Sequence, residues 1–225
     1  MHDLLHGVWH FERGMLFTAK EALIRPGKAA LDYISGKRIR YYNVFYFILL
    51  LIGLQLFVNH YYDQLFEVYY SSPIGKNDST GQKIDLFLEK YYKIIIFSFV
   101  PFFALNGYLL FKKRKLNLSE HFILAGIVFL GIMIITILAD LLNFFEFTKY
   151  FDFITDISNI ARLVFILLYI IYSYYSAFNE NYSKLKFSYK MFLFLTLLLL
   201  ELIFMGITIF GIVTNWKFGS ISYHA

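Results

Sequence analysis

The sequence predicts an all-α membrane protein, with five transmembrane helices preceded by an N-terminal amphipathic helix at the cytoplasmic interface. Three observations lead there. Of the 225 residues, 59% are apolar and 16% charged, where a soluble domain carries about 25% charge. The apolar residues gather into five stretches of about twenty residues, the length a helix needs to cross a hydrocarbon core. None of them alternates with the period of two that a membrane β-strand requires, so helices, which pair their backbone groups internally, are the form left in lipid. The chain has no cysteine, which excludes disulfides, thiolate metal sites, iron–sulfur clusters and Cys nucleophiles.

Residues 3–24 read as the first helix, because Leu4, Leu5, Val8, Trp9, Leu16, Ala19 and Leu23 recur at helical spacing. Its aromatic and basic residues fit a helix in the cytoplasmic headgroup plane; the alternative is that its apolar face docks on the ends of the spans. His2, His6 and His10, spaced four apart, would align three imidazoles, but solvated histidines are the usual outcome, and neither metal nor cofactor is expected. Arg25-Pro26-Gly27 interrupts the pattern. Pro26 suits the first position of a second short helix ending near Ser35, with Gly36 as its left-handed cap. Arg25, Lys37, Arg38 and Arg40 are the residues expected to hold lipid headgroups or a partner, each cation contributing on the order of 1 kcal/mol toward an anionic leaflet.

After this lead-in, residues 1–42, come spans at about 43–59, 93–111, 120–142, 158–178 and 191–214, forming one transmembrane domain over 43–214, then a short outer tail, 215–225. Outside the spans, Lys and Arg number 7 in 1–42, 4 in 112–118 and 3 in 179–190, against 3 in 60–92, 1 in 143–157 and 1 after 214. The bias of 14 to 5 places the N-terminus in the cytoplasm and the C-terminus outside, in a bacterial inner membrane. The net charge of +5 is then a topology signal, and nucleic acid is not an expected partner. No cleavable signal peptide is expected, since the first apolar run follows about 42 charged and aromatic residues. Segment 60–92, with Tyr61, Tyr62, Tyr69, Tyr70, Tyr91 and Tyr92 flanking a turn-forming stretch, reads as two helical extensions joined by a turn. Its aromatics suit an interfacial belt, or a partner site.

Polar residues within the spans are the functional candidates. Glu201 lies about 16 Å into the fifth span, where a carboxyl is expected to be protonated, hydrogen-bonded or turned toward a polar cavity. Counted the same way, Gln55 and Tyr169 fall at that level and Asn106 nearer the cytoplasm, giving a midplane polar layer. It acts either as a proton or cation site or as interhelical glue. Asp140 and Arg162, at the outer ends of their spans, are expected to form a structural ion pair. Pro101, with Asn106 and Gly107 after it, should kink the second span. Ser119-Glu120-His121 opens the third, Glu120 complementing the helix dipole. No metalloprotease, hydrolase, P-loop or dinucleotide signature occurs.

The run Thr18 to Phe47, TAKEALIRPGKAALDYISGKRIRYYNVFYF, resembles an uncharacterised family of multi-pass bacterial membrane proteins. Its marker, RPG followed by YIxGKRxxYxN, is carried by Arg25, Pro26, Gly27, Tyr33, Gly36, Lys37, Arg38 and Tyr41. KLNLSEH, Lys115 to His121, is similar to the family's polar start of a later span. Many members carry a cysteine-rich zinc ribbon, and no zinc role passes to this cysteine-free chain. In plan alone, an amphipathic lead-in before five spans is similar to the YIP-type membrane proteins, which act as binding and membrane-shaping partners. The resemblance implies fold and location more than activity. The resulting expectation is a non-enzymatic inner-membrane protein that organises lipid or protein partners, anionic headgroups first, a protein partner or second copy after. The alternative is a small transporter or channel using the Glu201 layer.

Overall fold

The computed structural model describes residues 14–70, 80–148 and 153–216. His2, His6, His10 and the turn 71–79 lie outside them. The described chain is helical, with no strand: α1 at 14–24, α2 Pro26–Ile34, α3 Val44–Tyr70, α4 Thr80–Phe97, α5 Phe99–Leu110, α6 Leu118–Asn143, α7 Phe153–Phe178 and α8 Lys184–Thr214. Five helical stretches are long and apolar enough to cross a membrane, Lys37–Tyr70, Lys83–Leu110, Leu118–Phe147, Ile157–Phe178 and Lys184–Thr214. The chain is that of a multi-pass membrane protein.

Local sequence sets most boundaries. Pro26 occupies the first turn of α2, where its missing N–H costs nothing and its fixed φ is already helical. Gly36 closes that helix at φ 97°, a left-handed backbone that glycine adopts without strain. The second span divides at Ser98, between α4 and α5. Pro101, three residues on, has no N–H for the Phe97 carbonyl, and its ring crowds that group. Asn117 caps α6: its side chain accepts from the Glu120 N–H at 2.8 Å while Glu120 accepts from the Asn117 N–H at 2.8 Å, a reciprocal capping box that satisfies two otherwise orphaned donors.

Helix α6 is the axis of the bundle, with α2, α3, α5 and α7 packed around it. Its most apolar stretch is 61% buried, against 6% for α8, so α8 lies at the edge with most of its surface toward the bilayer. Small residues let neighbours close on α6. A methyl added at Gly131 would overlap the Tyr169 hydroxyl, and one at Gly126 would stand 3.2 Å from Val44 Cγ1.

The end carrying the basic turn 112–115 and the basic start of α8, 184–190, is sealed by aromatic packing. Phe111 stacks on Phe178 at 4.7 Å between centroids, and Tyr174 meets Phe194 at 4.5 Å. Cations there also close helix ends. Lys190 Nζ donates to the Leu110 carbonyl at 2.5 Å and Arg114 Nη1 to the Ala177 carbonyl at 2.8 Å, groups that terminate α5 and α7 and lack partners within their own helices. At the opposite end, α3 continues to Tyr70 and packs on a 3-10 turn, Phe144–Phe147, where the Tyr62 and Tyr70 hydroxyls both donate to the Glu146 carboxylate, at 2.5 and 3.2 Å.

Candidate functional site

The break between α1 and α2 creates a backbone problem that α7 solves. Pro26 has no N–H to give the Ala22 carbonyl four residues earlier, and a buried carbonyl without a donor is costly. Tyr169 of α7 supplies the donor: its hydroxyl bonds to the Ala22 carbonyl at 2.5 Å. One turn along α7, the Tyr172 hydroxyl donates to the Ile24 carbonyl at 2.7 Å, and Ser176 Oγ accepts the Gly27 N–H at 3.0 Å. Residues 169, 172 and 176, with Ser173, lie on one helix face by their three- and four-residue spacing. Against that face the lead-in presents small residues. Ala22, Ala29 and Ala30 are fully buried, and a methyl added at Gly27 would overlap Ser176 Oγ and the backbone of Ser173 and Ala177.

The described part of the first helix is therefore docked on the spans, the second of its two expected placements. Thr18 adds a tie to the short connection before α3, accepting the Tyr42 N–H at 2.7 Å while donating to the Gly14 carbonyl at 2.7 Å. Leu16, Ile24 and Ile39 remain exposed, giving the docked segment an apolar rim.

Docking fixes the basic residues in place. Arg25 Nε donates to Glu21 at 2.5 Å and Arg25 Nη2 lies 4.0 Å from Asp32, which in turn pairs with Lys37 Nζ at 2.6 Å. The Glu21 hydrogen bond, reinforced by its charge, holds Arg25 above its ordinary pKa, so the guanidinium is permanently cationic. Arg38 and Arg40, on the 3-10 turn Lys37–Arg40, are exposed and make no salt bridge among the described residues. Arg25, Lys37 and Arg40 line a cleft of about 590 Å³ with Asp32, Gly36 and Ile39. Arg38 lines an adjoining cleft of about 540 Å³ that reaches Glu120 at the start of α6. Three cations, set against Asp32 in the cleft and Glu21 bound to Arg25 behind it, leave the first cleft with one net positive charge.

Of the four residues expected in a midplane layer, Asn106 and Glu201 bond to each other, while Tyr169 and Gln55 bond to other groups. Asn106 Nδ2 donates to Glu201 Oε2 at 2.9 Å, Glu201 being half-buried. Tyr169 serves the α1 carbonyl. Gln55 Nε2 donates to Asp140 Oδ2 at 3.1 Å, and Asp140 Oδ1 accepts from Arg162 Nη1 at 2.6 Å. Asp140 and Arg162 thus stand as an ion pair joining α6 and α7, with Asn159 accepting from Arg162 at 3.0 Å. His121 is 1% exposed and neither ring nitrogen has a hydrogen-bond partner among the described residues; it packs against Gly107, whose added methyl would stand 2.9 Å from Nδ1.

Sequence reasoning missed Tyr172, Ser173 and Ser176. The signal was present, a polar stripe along a span that otherwise reads as apolar, but the partners of Tyr172 and Ser176 are 148 and 149 residues away along the chain.

The docked segment is also where a comparison with known proteins finds something. Residues 12–55 match the model of a family described as a protein of unknown function, DUF3667. The matched stretch covers α1, α2, the 3-10 turn and the first part of α3, which includes Arg25, Pro26, Gly27, Gly36, Lys37, Arg38 and Arg40. No curated protein and no solved structure matches the chain.

Proposed function

We propose that the chain is a non-enzymatic protein of a bacterial inner membrane whose docked N-terminal segment holds anionic lipid headgroups at the cytoplasmic face and so organises lipid or protein partners there. The observation that carries this reading is the positive cleft of Arg25, Lys37 and Arg40 with Asp32, together with the exposed Arg38 and Arg40. Arg25 and Lys37 are held by carboxylates, which pre-places them and lowers the ordering cost of binding. Arg40 supplies charge not already spent on a carboxylate. A phosphate placed among them gains charge-assisted hydrogen bonds, and the neighbouring Leu16, Ile24 and Ile39 are apolar enough to sit against acyl chains.

The basic bias of the loops supports a cytoplasmic N-terminus, which puts this cleft on the anionic leaflet. The test uses the full-length protein in nanodiscs that mix phosphatidylglycerol with phosphatidylcholine. Replacing Arg38 and Arg40 with Gln should weaken retention of phosphatidylglycerol by about thirtyfold, at roughly 1 kcal/mol for each of the two charges, and raised salt should act in the same direction. Retention of both lipids in the bulk ratio, with no response to the substitutions, would overturn the reading.

A small transporter or channel is the alternative, supported by the Asn106–Glu201 pair in the membrane-spanning region.

A further inference from the structure

The two clefts beside the lead-in share Gly36 and Ile39 but differ in charge. The first is net positive. The second, of about 540 Å³, lies where the end of α2 and the 3-10 turn meet the start of α6, and its charged lining residues are Arg38 on the one side and Glu120 on the other. Local backbone brings each there. Arg38 follows Gly36, whose left-handed conformation turns the chain out of α2, and Glu120 is held in the first turn of α6 by the Asn117 N–H at 2.8 Å.

These opposite charges line one cleft and do not pair. No salt bridge joins Arg38 to Glu120 among the described residues. The Arg38 side chain is exposed and makes no hydrogen bond among the described residues. Glu120 Oε2 accepts one, from Asn117, of the several that a carboxylate can take. To swing onto Arg38 it would have to release that N–H and open the capping box, so the separation is held from the α6 side. The rest of the lining includes Ile34, Ile39 and Ile123, with Ile39 95% exposed. A cleft with one cation, one anion and an apolar margin matches a molecule with the same three features.

We infer that this cleft takes a zwitterionic lipid headgroup in which a phosphate is joined to a primary ammonium, as in phosphatidylethanolamine, with the phosphate on Arg38 and the ammonium on Glu120. The pairing of charges selects among headgroups. A headgroup that is only anionic satisfies Arg38 and brings no cation to Glu120. A quaternary ammonium, as in phosphatidylcholine, brings the charge without an N–H to donate. A primary ammonium brings three donors, and its bond to a carboxylate is charge-assisted. At about 30 Å³ per water-sized group the cleft has room for the headgroup and its glycerol, and the exposed Ile39 stands where the acyl chains begin. The inference rests on the docked segment meeting lipid headgroups, and it places a second lipid class beside the anionic one.

The test uses full-length protein in phosphatidylcholine nanodiscs containing a minor share of phosphatidylethanolamine, with retained lipids counted by native mass spectrometry. Both lipids are net neutral, so the comparison is blind to general attraction of anions. Phosphatidylethanolamine should be retained about three- to tenfold above its bulk share, the effect of one hydrogen bond. Glu120→Gln keeps the capping box, which Gln closes as Glu does, and should abolish that preference. Arg38→Gln should lower retention of both lipids, since both carry the phosphate. Soluble phosphoethanolamine should displace neither, because the apolar margin acts only on a lipid. Equal retention in the unaltered protein, a preference that survives Glu120→Gln, retention indifferent to Arg38→Gln, or displacement by soluble phosphoethanolamine would each overturn the proposal. Should Glu120→Gln fail to fold, N-methylated phosphatidylethanolamines decide it, the preference falling as each N–H is replaced. Phosphatidylglycerol and Arg40→Gln, run in parallel, keep the two readings apart. Phosphatidylglycerol retention that responds to Arg40→Gln without a phosphatidylethanolamine preference sinks this inference alone, and the converse sinks only the anionic cleft.

Discussion

Glu201 shows how a single residue separates two functions. Its carboxyl accepts from Asn106 Nδ2 at 2.9 Å, and a hydrogen bond of this kind between membrane helices contributes about 1 kcal/mol. Gln at this position keeps an acceptor oxygen for Asn106 and loses the capacity to take up or release a proton. If Glu201 is interhelical glue, Glu201→Gln should shift thermal stability by less than about 1 kcal/mol and leave proteoliposome ion flux at the level of empty vesicles. A pH-dependent flux in the unaltered protein that vanishes in Glu201→Gln would establish the transport reading instead. Gln55 teaches a different lesson about what one sequence discloses. Counting from Asn43 placed it at the midplane beside Glu201, on the premise that all spans begin at one level. Val44 in fact lies against Gly126, eight residues into α6 and so about 12 Å deeper than its start, because the docked lead-in occupies the space beneath α3. Gln55 is thereby carried to the level of Asp140. The depth of a span start is a tertiary property, and no local pattern records it.

At the scale of elements, α2 is packed against both α6 and α7. Its start at Pro26 and its stop at Gly36 were legible in the sequence because each is set by the residue's own backbone, φ fixed in one and left-handed in the other. The contact that α1 and α2 make with α7 was not legible, since it needs Tyr169 and Tyr172 to meet carbonyls of α1 and Ser176 to meet an N–H of α2 across the fold. Gly27 is the point of closest approach, with the backbone of Ser173 and Ala177 where a methyl would go. Backbone yields less readily than a side-chain tip, so Gly27→Ala should destabilise the docked segment by about 1–3 kcal/mol, the range for an overpacked core. Ser176→Ala, which removes the acceptor of the Gly27 N–H without adding volume, should cost about 1 kcal/mol. Protease accessibility of the segment 12–43 in detergent measures both. If α2 is held chiefly by this approach, Gly27→Ala will expose the lead-in to cleavage while the spans remain intact; equal resistance in all three proteins would show that the docking tolerates separation.

The whole molecule places its cations unevenly for two distinct reasons, and the reasons can be tested apart. Some basic side chains have structural work at their end of the bundle: Lys190 and Arg114 terminate α5 and α7 by bonding their last carbonyls, and Arg25 and Lys37 belong to the Glu21–Asp32 pairs. Others, Arg38, Arg40 and Lys112 among them, are exposed, and for these the positive-inside bias of 14 to 5 supplies the account. If that bias orients the chain, the end bearing 112–115 faces the cytoplasm and the helical extension of α4 faces outward. The absence of native cysteine makes the measurement direct. Asp85→Cys and Lys112→Cys, both at exposed positions, would be treated in intact cells with a membrane-impermeant maleimide. Asp85→Cys should label at once and Lys112→Cys only after the cells are opened. The reversed pattern would put the cationic cleft on the outer leaflet, away from the anionic surface, and with it would fall the lipid-organising reading.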